Sequence, residues 1–467
     1  REEEAGPYAT TARRRTRRNR RVEEETYAEE KNEEARDDSV GHYEGGRGEV
    51  LVDRFEILGD AGTGTFGRVV ECFDRKRRRR VAVKIVRRIQ RYTESAAVEA
   101  EILREVNRLA ADEDDEHAAR SSHAARSSSL ARDKHSGRSS REDPSKQRGG
   151  GKSSRCSKKS DLIVQLYSTF YADHHFCLVF EKLGPSLYEV LKLNDYRPFS
   201  PGSVESMARQ LLEALAFLHS TALVHTDLKL ENVLLRSSEP LVDVPDPATG
   251  KPLKVPTSDA IVLIDFGGAT YDHERKSTVV NTRQYRAPEV ILDVGWSMPS
   301  DLWSAGCIVA ELNKGELLFP THSNTEHLGL IDRLVGPFPR KLLERSKYAS
   351  RYFDRDGRSN WPQALNRHGR DHVRNMPRLH EYCDNPRLLG LLAGLLVIDP
   401  CDRFTAREAL QRADIFHRPE LLHQRREAYG GVFFPGGDDD FGASSSSQGG
   451  GGYHHHYHQP YHHHHHR

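Results

Sequence analysis

The chain reads as an α+β protein of two lobes: a small β-rich lobe with one main helix, then a larger, mostly helical lobe. Three observations predict this. Between residues 53 and 180 the apolar residues alternate or gather in short β-branched runs parted by glycine turns, as strands do. After Gly184-Pro185 the spacing turns helical, with Met207, Leu211, Leu215 and Leu218 on one face. The length of 467 residues also exceeds what one hydrophobic core ordinarily fills.

Composition confines the folded part to the middle. Hydrophobic residues make up 36% and charged residues 30%, with the charge unevenly placed. Residues 1–52 alternate an arginine block (13–21) with an acidic block (23–34) and hold almost no aliphatic side chains, so they read as a disordered charged tail. The arginine block suits an import or docking patch and a solvated polyampholyte equally well. A net charge of +1 provides no overall field, and direct nucleic-acid binding is not indicated. The six cysteines show no C-x-x-C pairing, which argues against a zinc site or a disulfide framework and for a reducing compartment. The most apolar run, residues 388–398, is too short to cross a membrane and reads as a buried helix. No membrane association is expected, and the chain is expected to be a monomer.

The small lobe, residues 53–183, opens with a strand through Phe55, Ile57 and Leu58, a glycine-rich turn, and a second strand over residues 68–73. The turn reads Gly62-Thr63-Gly64-Thr65-Phe66-Gly67, with Val69 after it. Glycines so spaced let backbone N–H groups approach phosphate oxygens without a Cβ in the way. Alone, the pattern also fits a dinucleotide-binding turn or a plain hairpin. The segment that follows is a strand rather than a helix, which favours a lid over ATP. A third strand, Val81-Ala82-Val83-Lys84-Ile85-Val86, carries one lysine in a buried apolar run, and such a lysine needs a partner. The helix predicted from about Thr93 offers Glu99. Residues 75–80, six consecutive basic residues, form the hairpin tip between the second and third strands; a solvated tip and an import or docking role are both open.

From 112 to 159 periodicity is lost among Ser, Arg, Asp, Lys, Gly and His, and the segment reads as a disordered insertion with Arg/Ser repeats. Two strands follow, residues 163–170 and 176–180. The large lobe, residues 184–417, begins with a helix capped by Ser200 with Pro201 in its first turn. Residues 418–467 form a low-complexity, His-rich tail.

The helix leads into His225-Thr226-Asp227-Leu228-Lys229-Leu230-Glu231-Asn232, a polar loop between buried segments. Phosphoryl transfer needs a carboxylate to receive the hydroxyl proton, a cation beside the moving phosphate and an amide oxygen for Mg²⁺; Asp227, Lys229 and Asn232 supply these at close spacing. Residues 261–264 form a strand that delivers Asp265-Phe266-Gly267, a carboxylate suited to a metal on a hinge. Ala287-Pro288-Glu289 and Asp402-Arg403 complete the set, with a buried Glu289–Arg403 ion pair expected.

With these motifs in order, the chain resembles a eukaryotic protein kinase from about Asp53 to His417. Within that family it resembles the LAMMER, or Clk-type, dual-specificity kinases of the CMGC group. The resemblance rests on residues 277–292, on Gly295-Trp296-Ser297, on Phe319-Pro320-Thr321-His322 and on Asp265-Phe266-Gly267-Gly268-Ala269-Thr270-Tyr271. The family's signature E-H-L-A-M-M-E-R-I-L-G-P stands here as Glu326-His327-Leu328-Gly329-Leu330-Ile331-Asp332-Arg333-Leu334-Val335-Gly336-Pro337, with flanks kept and centre changed. Leu230 replaces a usual proline. The alternatives are a Dyrk-like or SR-protein-kinase-like CMGC enzyme and, from another class, a pseudokinase scaffold; intact Lys84, Asp227, Asn232 and Asp265 oppose the latter.

The resemblance implies the bilobal protein kinase fold, ATP and Mg²⁺ as cofactors, and nuclear, with some cytoplasmic, phosphorylation of Arg/Ser-rich splicing factors. It implies a nucleotide site of Gly62, Gly64, Gly67, Val69, Ala82, Lys84, Glu99, Phe180, Glu181 and Leu183. Lys84, braced by Glu99, would hold the α- and β-phosphates, and Asn232 and Asp265 would hold Mg²⁺. Asp227 accepts the substrate proton, and Lys229 offsets charge on the transferred group. Glu231, with Glu189 as the weaker candidate, is expected to attract an arginine beside the target serine. Ser277, Thr278 and Thr282 are regulatory candidates. Thr226 stands where many phosphorylation-switched kinases carry an arginine that grips the activation-loop phosphate, so activity without that phosphorylation is expected. Autophosphorylation of the Arg/Ser repeats is expected too.

Overall fold

Alternation places Phe55, Ile57, Val70, Cys72, Val81 and Val83 on one face of a six-stranded antiparallel sheet, where they close a small core with Tyr43 and Val179. The computed structural model describes residues 41–132, 158–246, 250–274, 277 and 279–417. The strands are β1 (Val50–Leu51), β2 (Phe55–Gly64), β3 (Gly67–Asp74), β4 (Arg79–Val86), β5 (Leu166–Ala172) and β6 (His175–Glu181), in the order β1-β2-β3-β4-β6-β5. The other face packs on helix α1 (Gln90–Arg132) through Ala96, Ala100, Leu103 and Val106, which merge with the core of the large lobe.

Order begins earlier than the sequence suggests. Residues 41–52, assigned above to the tail, form a strap along the sheet: Tyr43 is buried in the small core, and Gly48 N–H donates to Ile57 O at 2.8 Å. Helix α1 also runs past 112, where a patternless insertion was expected, to Arg132. No Pro or Gly interrupts it before Gly137, alanines recur, and Arg108–Asp112 and Glu116–Arg120 pair across one turn at 2.9 Å each. Such a helix holds by local propensity, with no apolar stripe for a periodicity reading to find. Residues 133–157, both tails (1–40 and 418–467) and Thr278 lie outside the described residues. The strand expected from 163 starts at Leu166, because Leu162 and Val164 spend their backbone bonds on Leu263 instead.

The basic tip between β3 and β4 is partly structural: Arg75 pairs with Glu56 at 3.1 Å, Arg80 with Glu71 at 3.0 Å, and Arg79 lies 3.6 Å over the Tyr167 ring.

Gly184 and Pro185 end the sheet as expected, but a helix follows at once, α2 (Leu187–Leu193), with Ser186 and Glu189 forming a capping box. Glu189, a weaker substrate candidate above, is occupied in that cap. Helix α3 (Pro201–Ser220) is capped by Ser200 with Pro201 in its first turn. Two small antiparallel pairs frame loop 225–232 and Asp265: β7 (Leu223–Val224) with β12 (Thr270–Tyr271), and β8 (Val233–Leu235) with β11 (Ile261–Leu263). A hairpin, β9 (Val242–Pro245) and β10 (Pro252–Val255), lies between β8 and β11. The helical remainder includes α4 (Pro288–Ile291), the buried α5 (Pro299–Lys314), α6 (Asn324–Leu334), α7 (Trp361–Ala364), α8 (Arg367–Asn375), α9 (Pro386–Leu395) and α10 (Ala406–Arg412). Helix α9 takes up the apolar run that was too short to span a membrane. Among the described residues no helix is long and apolar enough to cross one.

Candidate active site

The pairings of β7 with β12 and of β8 with β11 set loop 225–232 beside Asp265. Asp301 of α5, wholly buried, fixes the loop's entry: its carboxylate accepts from His225 N at 2.8 Å, Thr226 N at 3.0 Å and His219 Nε2 at 3.0 Å. His225 donates through Nε2 to Ile264 O at 3.1 Å and accepts Asp227 N–H on Nδ1 at 3.3 Å, so one imidazole joins both loops. Phe266 is fully buried, its ring 5.0 Å from that of His225, which seats the hinge after Asp265.

Around Asp227 the donors converge. Lys229 Nζ lies 2.7 Å from Oδ2, Thr282 Oγ1 donates to Oδ1 at 2.7 Å, and Asn232 Nδ2 donates to the Asp227 carbonyl at 2.8 Å. Lys229 also reaches Thr282 Oγ1 at 3.3 Å. Burial pushes the Asp227 carboxyl up, but the Lys229 charge and these hydrogen bonds outweigh it and hold it below its usual value. These partners favour its ionised form.

Lys84 meets the expected Glu99 and a second carboxylate, Asp265. Its Nζ is 2.9 Å from Glu99 Oε2 and 3.5 Å from Asp265 Oδ1, with Glu99 only 3% exposed. Burial opposes the charge on Lys84, but the Glu99 carboxylate and then Asp265 outweigh it and raise its pKa. Val69 stands opposite Lys84 in the β3–β4 ladder, and Ala82 stands opposite Phe180 between β4 and β6. Gly64 pairs with Gly67 across the lid turn. A Cβ at Gly62 or Gly64 would meet no protein atom within 4 Å, so the space beside them is open to a ligand; at Gly67, with φ +156°, the Ile85 carbonyl forbids one. Phe180 and Leu183 are buried. The Glu181 side chain is committed to Gln165 N at 3.0 Å and Arg236 at 3.2 Å, and the Leu183 carbonyl accepts Lys182 Nζ at 2.8 Å.

Asn232 spends its amide N–H on Asp227, leaving the carbonyl oxygen as its acceptor. That oxygen and the Asp265 carboxylate are the ligands a Mg²⁺ keeping water and phosphate oxygens for its other positions would take. Among the described residues no group of three or more His, Cys, Asp or Glu is placed to hold a metal unaided.

Thr226, with φ +70°, ties the loop to the segment beyond Asp265. Its hydroxyl donates to Gly268 O at 2.8 Å, and its carbonyl accepts both N–H and Nδ2 of Asn281 at 2.9 Å. A Cβ at Gly268 would stand 2.8 Å from the Thr226 hydroxyl, so the two residues fit as a pair. Ser277 Oγ donates to Val279 O at 2.8 Å, and its carbonyl accepts Trp296 Nε1 at 2.8 Å.

Glu231 is exposed in the 3-10 turn before β8. Sequence reasoning missed its neighbour, Glu311 of α5. Glu311 is 4% exposed and accepts the Tyr285 hydroxyl at 2.5 Å; burial pushes its carboxyl up to about 7, the Tyr285 bond opposes the rise, and the Glu231 charge adds to it. Neither glutamate has a basic partner among the described residues.

Comparison with known proteins gives the family. The protein kinase domain family matches residues 146–413. Serine/threonine-protein kinase AFC1 of Arabidopsis thaliana is 41% identical over 80% of this chain and 73% of its own length. Dual specificity protein kinase CLK2 of Homo sapiens is 36% identical over 80% of this chain and 66% of its own. Among solved structures, the crystal structure of the PF14_0431 kinase domain superposes with a TM-score of 0.66 at 32% identity, covering 81% of this chain and 99% of that one. The chain thus belongs to the protein kinase family, as a serine/threonine and dual-specificity kinase of the LAMMER, or AFC/Clk, type.

Proposed function

We propose that this kinase transfers the γ-phosphoryl group of ATP to serines flanked by arginine, as in the Arg/Ser-rich proteins of nuclear pre-mRNA splicing. The observation that supports this is the pair Glu231 and Glu311, two carboxylates at the catalytic loop without a basic partner among the described residues. A guanidinium beside the exposed Glu231 would also offset the charge that Glu231 sets against the buried Glu311, and a planar fork suits carboxylate oxygens. In the reaction Asp227 positions the substrate hydroxyl and takes its proton, Lys84 holds the α- and β-phosphates, and Lys229 offsets charge on the moving phosphoryl group. Mg²⁺, held through Asn232 and Asp265, supplies charge neutralisation on the phosphates. The test compares matched peptides in which Arg, Lys or Ala flanks Ser. The Arg peptide should lead by at least about tenfold in kcat/KM, and Glu231→Gln should erase most of that lead; equal rates on all three peptides would remove the reading.

Activity without a phosphate on the activation segment belongs to the same reading. Thr226 is no anchor for a phosphate, and Asn281, Arg286 and Trp296 hold the segment by direct bonds instead. Phosphatase-treated Ser277→Ala/Thr278→Ala protein should retain most of its activity, and a fall below a few per cent of wild type would refute this.

A further inference from the structure

Glu99 and Asp265, the two carboxylates that meet Lys84, ride on different elements: Glu99 on α1 and Asp265 just past β11. One short stretch, residues 159–166, is bonded to both. On the β11 side, Leu263 N–H donates to Leu162 O at 2.9 Å and Val164 N–H to Leu263 O at 3.0 Å. Arg236 Nε also donates to Asp161 O at 3.0 Å. On the α1 side, beside the apolar core that Leu103 and Val106 share with Leu162 and Ile163, two side chains bond directly to this stretch. Asn107 exchanges a pair of bonds with the strand edge, Nδ2 to Val164 O and Leu166 N–H to Oδ1, each 3.0 Å. Asp114 receives Lys159 N–H on Oδ1 at 2.8 Å, and both Ser160 N–H at 3.0 Å and Ser160 Oγ at 2.5 Å on Oδ2.

The spacing makes these contacts pins on a lever. Asn107 lies about 12 Å and Asp114 about 22 Å along the helix from Glu99. A rod held at two points can neither tilt nor turn about one of them, so Glu99 is fixed relative to β11. Asp114 also closes the neck of the long insertion, whose closure cost grows only slowly with its length. Its carboxyl is held below its usual value: burial pushes it up, but the Ser160 bonds and then the Lys159 N–H outweigh that.

We propose that Asp114 and Asn107 are positioning residues for phosphoryl transfer, pinning α1 to the segment that also holds β11, so that Lys84, Glu99 and Asp265 stay assembled without an activating partner on α1. The proposal rests on the kinase assignment and not on the Arg/Ser reading, so its assay uses a degenerate Ser/Thr peptide library.

The test uses the full chain carrying Asp114→Ala, Asn107→Ala and both. The single Asp114→Ala should lower kcat per active site about tenfold and the double variant further, with KM for peptide within twofold of wild type. Amide exchange across residues 95–106 should speed up, and Asp114→Asn, which keeps an acceptor oxygen, should recover part of the loss. A role in stability alone would lower Tm and the active fraction while leaving kcat per active site and exchange in 95–106 unchanged, and that result would overturn the proposal. Should the double variant fail to fold, Ser160→Ala and Asp114→Asn decide: a graded fall in kcat at constant peptide KM supports the pins, and unchanged kcat in both rejects them.

Discussion

Asp227 is surrounded by donors that keep it ionised, which makes its replacement a clean test at the scale of one residue. Asp227→Asn keeps the shape but removes the proton acceptor, and kcat should fall by about 10²- to 10⁴-fold with little change in KM for ATP. Glu311 carries a pH prediction. Its folded pKa of about 7 lies above its ordinary value of 4.5, because burial disfavours the charge. A raised carboxyl binds more protons folded than unfolded, so its contribution is present below about pH 4.5 and lost as pH rises through about 7. Thermal unfolding of Glu311→Gln against wild type should show the variant gaining on the native protein across that window, by a few degrees. A constant Tm difference would contradict this. At this scale the sequence is legible wherever chemistry breaks a pattern. Lys84 interrupts an apolar strand, and Asp227, Lys229 and Asn232 crowd one short loop. Glu311 was not legible, because it sits in a helix of buried residues and its hydrogen-bond partner, Tyr285, lies 26 positions away.

Among the elements, the β2–β3 hairpin shows which glycines the fold itself requires. A Cβ on Gly67 would stand 2.3 Å from the Ile85 carbonyl, at a backbone angle that side chains rarely adopt. Gly67→Ala should therefore cost about 2 kcal/mol or more, measured by denaturant unfolding, and raise KM for ATP by distorting the lid. Helix α6 accounts for the changed centre of the family signature. A Cβ at Gly329 would come within 3.0 Å of the Trp361 ring, and the Asp332 carboxylate accepts a hydrogen bond from that tryptophan. Gly329 and Asp332 thus make room for one indole and bond it. That contact joins α6 to α7, and no local pattern announces it. The same limit explains α1: strands and amphipathic helices declare themselves by period, whereas an extension held by propensity and ion pairs does not.

For the molecule as a whole, the expected Glu289–Arg403 pair is formed, with contacts of 2.7 and 2.9 Å and both side chains fully buried. Arg403 also donates to Val397 O and Pro299 O, so it fastens α4 and α5 to the segment between α9 and α10. Arg403→Met leaves Glu289 buried and unpaired and should destabilise the protein by about 3–5 kcal/mol in chemical denaturation. Replacing both partners with apolar residues should cost less than the single change, because no charge is then stranded. The two-lobed architecture was legible because it follows from the change of period near Gly184 and from the order of the motifs. The strap over residues 41–52 was not, since only Tyr43 and Leu51, eight positions apart, reach its core. The most direct measurement of the central claim is ATP-dependent phosphorylation of an Arg/Ser peptide by the wild type and by Asp227→Ala, beside the same peptide with every Arg changed to Lys. Rapid transfer by the wild type, none by the variant and a rate at least about tenfold lower on the Lys peptide are predicted; equal transfer to both peptides, or undiminished transfer by Asp227→Ala, would contradict the account.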